Sequence, residues 1–554
     1  MLVYGDASIT ESPNEKRARI VEATREAVAM AGGIERHGAS VSAFIEAGEL
    51  AQGIADAAFS EQGHDASTPA QDRAMALLME LAGIVRLSWQ SGFRRIAPLS
   101  AKVIGQREAA PWSESICVKR PEGYAFYALY PEAYLEAAVA LAPLGGKVQV
   151  IGIRSIGTGL AAMVATALGA PAPVTVRPVG HPFRRELALS PELAAALRAE
   201  PEARFAVVDE GPGLSGSSFG TVADFLEDQR VTPEHIHFFP SHIGDLGPQA
   251  SPRHRARWAK AARHVVDFDA LVLGANNPAH RLESWVADLV GAPEAPLDTL
   301  SGGAWRQRAY GEDQRPPAHV QQERRKYLLR TATGPWLLKF AGLGREGARK
   351  LDRARALSAA GFTPEVLGYR HGFLVERWIE DARPLDLRAV DRGALVAFVG
   401  RYLGFRARAF PAGPEQGASL NRLFEMARAN TAEALGEAQA RRLDRFAPDL
   451  PDLERRVRRI ETDNRLHAWE WLQCHDGRLL KTDALDHHAA HDLVGCQDVA
   501  WDVAGATVEL DLSDAEAQTL TAVIAHETGR SVDPGLLAVC RPCYLAFQTG
   551  YHAL

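Results

Sequence analysis

Apolar residues recur at helical spacing in three stretches near the start of the chain, KRARIVEATREAVAMAG, SVSAFIEAGELAQGIADAAF and PAQDRAMALLMELAGIVRLSW. Gly, Ser and Pro separate them, so helices are predicted over residues 14 to 95. From Ala110 to Val290 the pattern changes to short apolar runs that alternate with helix-like segments. The runs are YAFYALY, KVQVIGI with a helix from Gly159 to Leu168, VTVRPV, RFAVVD with a helix after Ser217, and HIHFFPS. Strands alternating with helices predict a largely parallel sheet covered on both faces. The stretch from Ser301 to Gln322, rich in Gly, Pro and Arg, reads as a linker. Beyond it a third unit begins with the hairpin pattern RKYLLRTATGPWLLKFAG, a helix pattern REGARKLDRARALSAAG and a strand pattern FLVERWIED. The expected division is a helical region 1–109, a parallel-sheet unit 110–295, a linker 296–322 and a third unit 323–554.

Length and composition agree with several domains. A chain of 554 residues is too long for one core, and 46% hydrophobic with 24% charged residues is ordinary globular composition. A net charge of −7 argues against a nucleic-acid partner, which needs a concentrated Lys/Arg surface. The basic stretch PRHRARWAKAARH, Pro252 to His264, reads as the solvated face of an amphipathic helix. The first residues, MLVYGDASITESPNEKR, lack the basic flank and apolar core of a signal peptide. No uncharged apolar run reaches about 18 residues, so no membrane span is expected. Five cysteines fit a reduced compartment, and a cytoplasmic location is the expectation. Cys540 and Cys543 form a lone CxxC and read as thiols packed on a terminal helix.

The stretch AVVDEGPGLSGSSFG carries the first candidate chemistry. An apolar strand ends in Asp209 and Glu210, and ligands of open α/β sheets lie beyond the carboxyl ends of strands. Two adjacent acids there can accept hydrogen bonds from vicinal ribose hydroxyls or hold magnesium through water. The loop Leu214, Ser215, Gly216, Ser217 and Ser218 then enters a helix, where small residues, hydroxyls and backbone N–H groups suit a 5′-phosphate. VVDEGPGLSGSS resembles the phosphoribosyl pyrophosphate motif of type I phosphoribosyltransferases, with a loop about one residue longer, at Gly211, Pro212 and Gly213, after the acids. Upstream, KVQVIGIRSIGTGLAAMVATALG resembles that family's pyrophosphate loop. The resemblance implies that Arg154, Ser155, Ile156, Gly157 and Thr158 cradle pyrophosphate. It also places a mobile loop at VRPVGHPFRREL, with Arg177, His181, Arg184 and Arg185 as candidate groups for the leaving pyrophosphate or for proton transfer.

The third unit resembles aminoglycoside-phosphotransferase-like kinases. Lys339 on the second strand of the hairpin and Glu346 on the following helix correspond to the Lys that contacts ATP phosphates and its Glu partner. GCQDVAWDVAGATVEL resembles the segment that braces the catalytic loop in that family. The loop itself departs from the pattern: DNRLHAWEWL places Arg465 where the catalytic Asp belongs and Glu470 where the Asn belongs, and a guanidinium cannot be a base. Either phosphoryl transfer is lost or Asp463 has taken the base role. KTDALDHHAAHDLVG then gathers Asp483, Asp486, His487, His488, His491 and Asp492. With Glu470 these acids and imidazoles form a candidate metal set, for which Glu470, Asp483, His488 and Asp492 are the expected ligands; a polar loop of capped helices and ion pairs is the alternative.

The expected fold class is therefore α/β, a type I phosphoribosyltransferase-like parallel sheet with an N-terminal helical region plus a C-terminal α+β kinase-like domain. The expected reaction is Mg2+-dependent phosphoribosyl transfer between phosphoribosyl pyrophosphate and a nitrogenous base, or the reverse reaction on a nucleoside monophosphate. For the C-terminal unit the resemblance implies ATP, and the cluster of acids and histidines allows another divalent metal. Neither nucleic acid nor membrane is an expected partner, and a homodimer stays open. Two alternatives remain: a ribose-phosphate-binding regulator with a pseudokinase domain, or a small-molecule kinase that uses the phosphoribosyl site for recognition.

Overall fold

The computed structural model describes residues 8–105, 112–141, 145–198, 202–320, 323–489 and 494–553. Strand β1 (Ser8–Glu11) leads into three helices, α1 (Pro13–Ala29), α2 (Ile34–Gln62) and α3 (Pro69–Gln90). Their starts are set by local chemistry. Ser12 caps α1 with Pro13 at its first position, and Thr68 with Gln71 forms a capping box on α3. β1 pairs antiparallel with β2 (Ile116–Lys119).

The run YAFYALY is not a strand. It falls on the end of a short helix, α4 (Glu122–Phe126), and on the turn into α5 (Pro131–Val139). Pro131 opens α5 after Tyr130, and Tyr124, Phe126, Tyr130 and Tyr134 are all buried. A short helix buried on every side shows no 3.6-residue period and imitates a strand.

The parallel sheet follows. Its strands are β3 (Val148–Ile153), β4 (Val174–Val176), β7 (Arg204–Val208), β8 (Ile236–Phe239) and β9 (Ala262–Arg263), in the order β4-β3-β7-β8-β9 with every neighbouring pair parallel. That is the 2-1-3-4-5 order of a doubly wound sheet, whose ligand crevice lies between its first and third strands. Helix α6 (Gly157–Leu168) follows β3, a hairpin β5 (Val179–His181) and β6 (Arg184–Glu186) follows β4, and helix α8 (Ser217–Asp228) follows β7, with α7 (Pro191–Arg198) between. On one face Val150, Ala206 and Val208 join a core with α2, α3, α5 and α6; on the other Phe205, Phe219, Phe238 and Trp258 form a second core. The basic stretch from Pro252 is helix α9 (Pro252–Lys260), which buries only Trp258.

Helix α10 (Leu282–Val290) leads to an antiparallel sheet of order β10-β11-β12-β14-β13: β10 (Asp298–Thr299), β11 (Lys326–Thr331), β12 (Gly334–Phe340), β13 (Val366–Arg370) and β14 (Phe373–Arg377). The stretch 296–322, expected as a linker, is folded onto this sheet where it is described. β10 pairs with β11, and Trp305 Nε1 donates to Glu323 at 2.7 Å. Helix α11 (Gly344–Ala359) follows β12, and a small sheet of β15 (Arg383–Pro384), β16 (Trp471–Gln473) and β17 (Leu479–Lys481) sits among helices α12 (Arg392–Ala409), α13 (Leu420–Leu435), α14 (Val499–Glu509), α15 (Asp514–Thr528) and α16 (Pro534–His552). Tyr327, Leu329, Trp336, Leu338, Phe373 and Val375 belong to the same core as the N-terminal helices, so apolar packing is continuous past residue 323. Cys540 and Cys543 are free, buried thiols on α16. No described helix is long and apolar enough to cross a membrane.

Candidate functional site

The crevice between β3 and β7 collects the loop 154–158 and the acid pair. Gly157 lies so close to β7 that a Cβ there would sit 2.7 Å from the Val208 carbonyl oxygen, which explains glycine at this position. Asp209 and Glu210 follow β7 directly. The Asp209 carboxylate accepts the Glu210 N–H at 2.8 Å, and Tyr134 Oη donates to the Asp209 carbonyl at 2.9 Å. Burial pushes Asp209 up to about 7; burial and the neighbouring Asp209 charge push Glu210 up to about 8. Among the described residues no Lys, Arg or His lies within ion-pair distance of either carboxylate, and Arg177 acts on Asp209 from farther away. The remainder of the crevice is the N-terminus of α8. Gly216 has φ +60° at its N-cap, and the hydroxyls of Ser215 and Ser217 donate to the Pro182 carbonyl at the tip of the β5–β6 hairpin. Leu214 is exposed, Ser218 lies in the first turn of α8, and Thr158 Oγ1 is buried in the opposite loop without a hydrogen-bond partner.

The residue expected to bind pyrophosphate, Arg154, is turned away from the crevice. The Arg154–Ser155 peptide bond is cis. The guanidinium is fully buried, bonded to Asp56 at 2.8 Å, to Asp65, and to the Thr175 carbonyl at 3.1 Å. Each of its three guanidinium nitrogens therefore already has a partner within the fold. Arg177 takes the position nearer the loop: it donates to the Arg154 carbonyl at 2.9 Å and to Ser155 Oγ at 3.2 Å while pairing with Asp56, and its charge acts on Asp209. His181 and Arg184 are exposed on the hairpin, and Arg185 donates to the Gly180 carbonyl at 3.2 Å.

The C-terminal unit holds a cavity of about 580 Å³ between the antiparallel sheet and the helices, lined among others by Lys339, Trp378, Arg465, Glu470, Asp483 and His487. Lys339 is buried and pairs with Asp483, not with Glu346. Burial opposes the lysine's charge, but Asp483 and Glu376 outweigh it and raise its pKa. Glu346 instead faces Arg120 at 3.4 Å. The loop 463–465 hangs from α14: Asp502 accepts the backbone N–H groups of Asp463 at 2.8 Å and Asn464 at 3.0 Å. This is the brace expected from the DVAWDVA pattern. Asn464 has φ +64°, which turns the chain so that Arg465 faces the cavity, where its guanidinium lies 2.5 Å from Tyr551 Oη.

Asp463 is not an open base. It is 1% exposed, accepts from Tyr402 Oη, and lies 3.6 Å from Lys481 Nζ. Burial alone would raise its carboxyl, yet Lys481, His487 and Arg406 hold it well below the usual range. The expected metal set is also not assembled. Glu470 pairs with Lys481 at 2.7 Å, and His488 points to Glu461 at 3.8 Å, its pKa driven down by burial and by Arg353. Asp492 and His491 lie outside the described residues. What the segment does bring together is Asp483, Asp486 and His487, with Asp463, Glu470 and His487 beside them. Each acid already has a cation: Asp486 has Lys350 at 2.8 Å and Arg324 at 3.2 Å, and His487, which burial disfavours as a cation, is pushed up to about 9 by Asp483 and Asp463. In this arrangement the acids are held by cations rather than left as an open set of ligands. Lys350, Lys481 and Arg324 were missed from sequence; charged residues inside apolar segments, as in RLLKTD, were the available signal.

No family model matches the chain, and no curated protein matches it in sequence. Solved structures that resemble part of it include choline kinase LicA from Streptococcus pneumoniae, 16% identical over 43% of this chain and 84% of that one, with a TM-score of 0.29. A choline/ethanolamine kinase family protein from Mesorhizobium loti is 16% identical over 41% of this chain and 77% of its own, TM-score 0.30. An aminoglycoside-3′-phosphotransferase of type VIII is 18% identical over 40% and 88%, TM-score 0.23. At such values the reading of both sites rests on this chain's own residues.

Proposed function

We propose that the chain is a two-site protein of nucleotide chemistry, in which the C-terminal cavity binds a nucleoside polyphosphate as small-molecule kinases do. The observation that carries this is the Lys339–Asp483 pair beneath a loop, 463–465, hung from Asp502 in a cavity of about 580 Å³. Lys339 is placed to exchange Asp483 for phosphate oxygens, and Trp378 offers an aromatic wall for a base. Arg465 stands where a base would take a hydroxyl proton, and a permanent cation cannot do so. The acceptor that suits this site is therefore already an anion, a phosphate monoester or a carboxylate, which Arg465 would hold and which needs no proton removed.

Isothermal calorimetry and thermal shift with an ATP analogue test this reading. Saturation at about 100 times the dissociation constant should add about 2.7 kcal/mol to wild type. Lys339→Met should abolish the shift. No shift in wild type, or an equal shift in Lys339→Met, refutes it.

A second reading is favoured by a separate observation: the 2-1-3-4-5 sheet places the loop 154–158, Asp209, Glu210 and the N-terminus of α8 around one crevice. That arrangement supports binding of a 5-phosphoribosyl group and its transfer to a nitrogenous base. Magnesium held at the acid pair would neutralise a departing pyrophosphate; Arg177 would supply a fixed charge beside it, and the Ser/Gly loop would anchor the 5′-phosphate. Release of pyrophosphate from phosphoribosyl pyrophosphate in the presence of purine and pyrimidine bases tests it, and loss of that release in Asp209→Asn/Glu210→Gln is expected.

A further inference from the structure

Outside both sites, three metal-ligating side chains meet in the interior. His37 lies at the start of α2, Glu132 in the first turn of α5, and His371 in the turn between β13 and β14 with φ +39°. Their ligand atoms all lie within 4.8 Å of one another. His37 Nε2 is 2.7 Å and His371 Nε2 3.3 Å from Glu132 Oε1, and the three side chains are at most 1% exposed.

Hydrogen bonding does not complete this group. Glu132 Oε2 is buried without a hydrogen-bond partner, although buried polar atoms normally have one, and His371 Nε2 has only the 3.3 Å approach to Oε1, which lacks good hydrogen-bond geometry. The surroundings offer little help, being the rings of Trp89, Phe93, Tyr130 and Trp285. What the surroundings do supply is orientation. Ser88 Oγ lies 3.0 Å from His37 Nδ1 and fixes that ring with Nε2 toward the carboxylate, and Tyr130 Oη donates to the His371 carbonyl at 2.8 Å, fixing the turn. Support of a ligating ring through its other nitrogen is how metal-binding imidazoles are held.

We propose that His37, Glu132 and His371 bind one divalent transition metal, zinc in class, as a structural tie between the N-terminal helices and the antiparallel sheet. Two imidazole nitrogens and one carboxylate oxygen are a borderline donor set that suits zinc. The aromatic enclosure disfavours magnesium, which keeps most of its water. The three ligands come from segments 95 and 239 residues apart in the chain (37 to 132, 132 to 371), so metal binding here contributes to the joining of the two halves. The proposal is independent of the nucleotide readings.

Full-length protein, produced without a metal-chelating tag in zinc-supplemented medium, should retain about one equivalent of zinc after dialysis. X-ray absorption at the zinc edge should then show two coordinated imidazoles. The other described groups of three potential ligands, Asp463 with Glu470 and His487 and Asp483 with Asp486 and His487, contain one histidine each, so two imidazoles exclude them, and the substitutions separate this site from the His237–His264 pair. Asp483→Asn/His487→Ala should keep the zinc, while His37→Ala, His371→Ala or Glu132→Gln should lose it. Wild type with less than about one-tenth equivalent after zinc loading, or zinc with one imidazole, or zinc retained by folded His37→Ala, would overturn the assignment and leave a buried hydrogen-bonded cluster.

Discussion

Arg154→Ala is expected to damage the fold before it damages a ligand site. Its guanidinium is surrounded by Asp56, Asp65 and the two oxygens of Thr175, and its side chain is 0% exposed against 2% for Asp65. Removing one member of a buried ion pair costs roughly 3–5 kcal/mol, because the other charge stays behind. Asp56 is spared much of this, since Arg177 Nε still donates to it at 2.9 Å; Asp65 keeps only the Arg177 N–H at 2.7 Å. The cost should depend on pH with a definite sign. Burial raises Asp65 even in wild type, against the pull of Arg154. Without Arg154 the folded state holds that proton more tightly than the unfolded chain, so the variant loses stability as pH rises from the unfolded carboxylate value. The deficit relative to wild type should therefore be larger at about pH 7.5 than at about pH 5.5. Asp65→Asn added to Arg154→Met keeps an acceptor for Arg177 without the charge and should recover most of the loss. Urea unfolding followed by tryptophan fluorescence at both pH values measures it, with phosphoribosyl pyrophosphate binding in parallel. A deficit below about 1 kcal/mol together with abolished binding would show that Arg154 serves a ligand and refute the structural assignment.

Three further outcomes are expected. Burial raises Asp209 to about 7 and Glu210 to about 8, so the folded state binds protons the unfolded chain has released; their contribution to stability should fall as pH rises from about 4 to about 8, magnesium should restore it at the upper end only, and Asp209→Asn/Glu210→Gln should show a shallower fall than wild type in differential scanning fluorimetry over that window. Asp502→Asn should cost roughly 1.5–3 kcal/mol in urea unfolding and remove the thermal shift by an ATP analogue, because the acceptor for the Asp463 and Asn464 N–H groups loses its charge. Gly123→Ala would place a Cβ 2.7 Å from Glu210 Oε1 and 2.8 Å from Leu129 Cδ2, an overpacking expected to cost about 1–3 kcal/mol in the same assay, part of which Glu210→Ala should return.

Elements were legible in the sequence wherever a run of residues meets one environment. β3, β7 and β8 are largely buried on both faces and read as mainly apolar runs, broken only by Gln149 in β3, His237 in β8 and Arg204 at the start of β7; α1 and α3 carry their own caps. The loops after β3 and β7 were legible for the same reason, since glycine and serine must follow a strand that ends at a crevice. Charge pairing was not legible. Arg154 in a turn invites a ligand until Asp56 and Asp65 arrive from 98 and 89 residues upstream. The acids around Asp483 look like a metal set until Lys339, Lys350 and Arg324 reach them from 144, 136 and 162 residues away. Side-chain types declare a charge; only the fold declares its partner.

The misread run YAFYALY lies where the two sites meet, and its composition follows from that position. Gly123 is packed against the Glu210 carboxylate of the crevice, whereas Phe126 and Tyr127 line the cavity of the C-terminal unit. Between them the Ala125 carbonyl accepts from Lys350 at 3.2 Å, and the Tyr124 carbonyl accepts the Leu343 N–H at 2.9 Å just before α11. Arg120, one step earlier, holds Glu346 and donates to the Ala489 carbonyl at 2.7 Å. A segment buried apart from Tyr127 leaves too little solvent face for a polar period, and its aromatic residues fill space that belongs to two different sites. Departures from local pattern concentrate where function constrains packing, and here the departure marks the wall that the crevice and the cavity share.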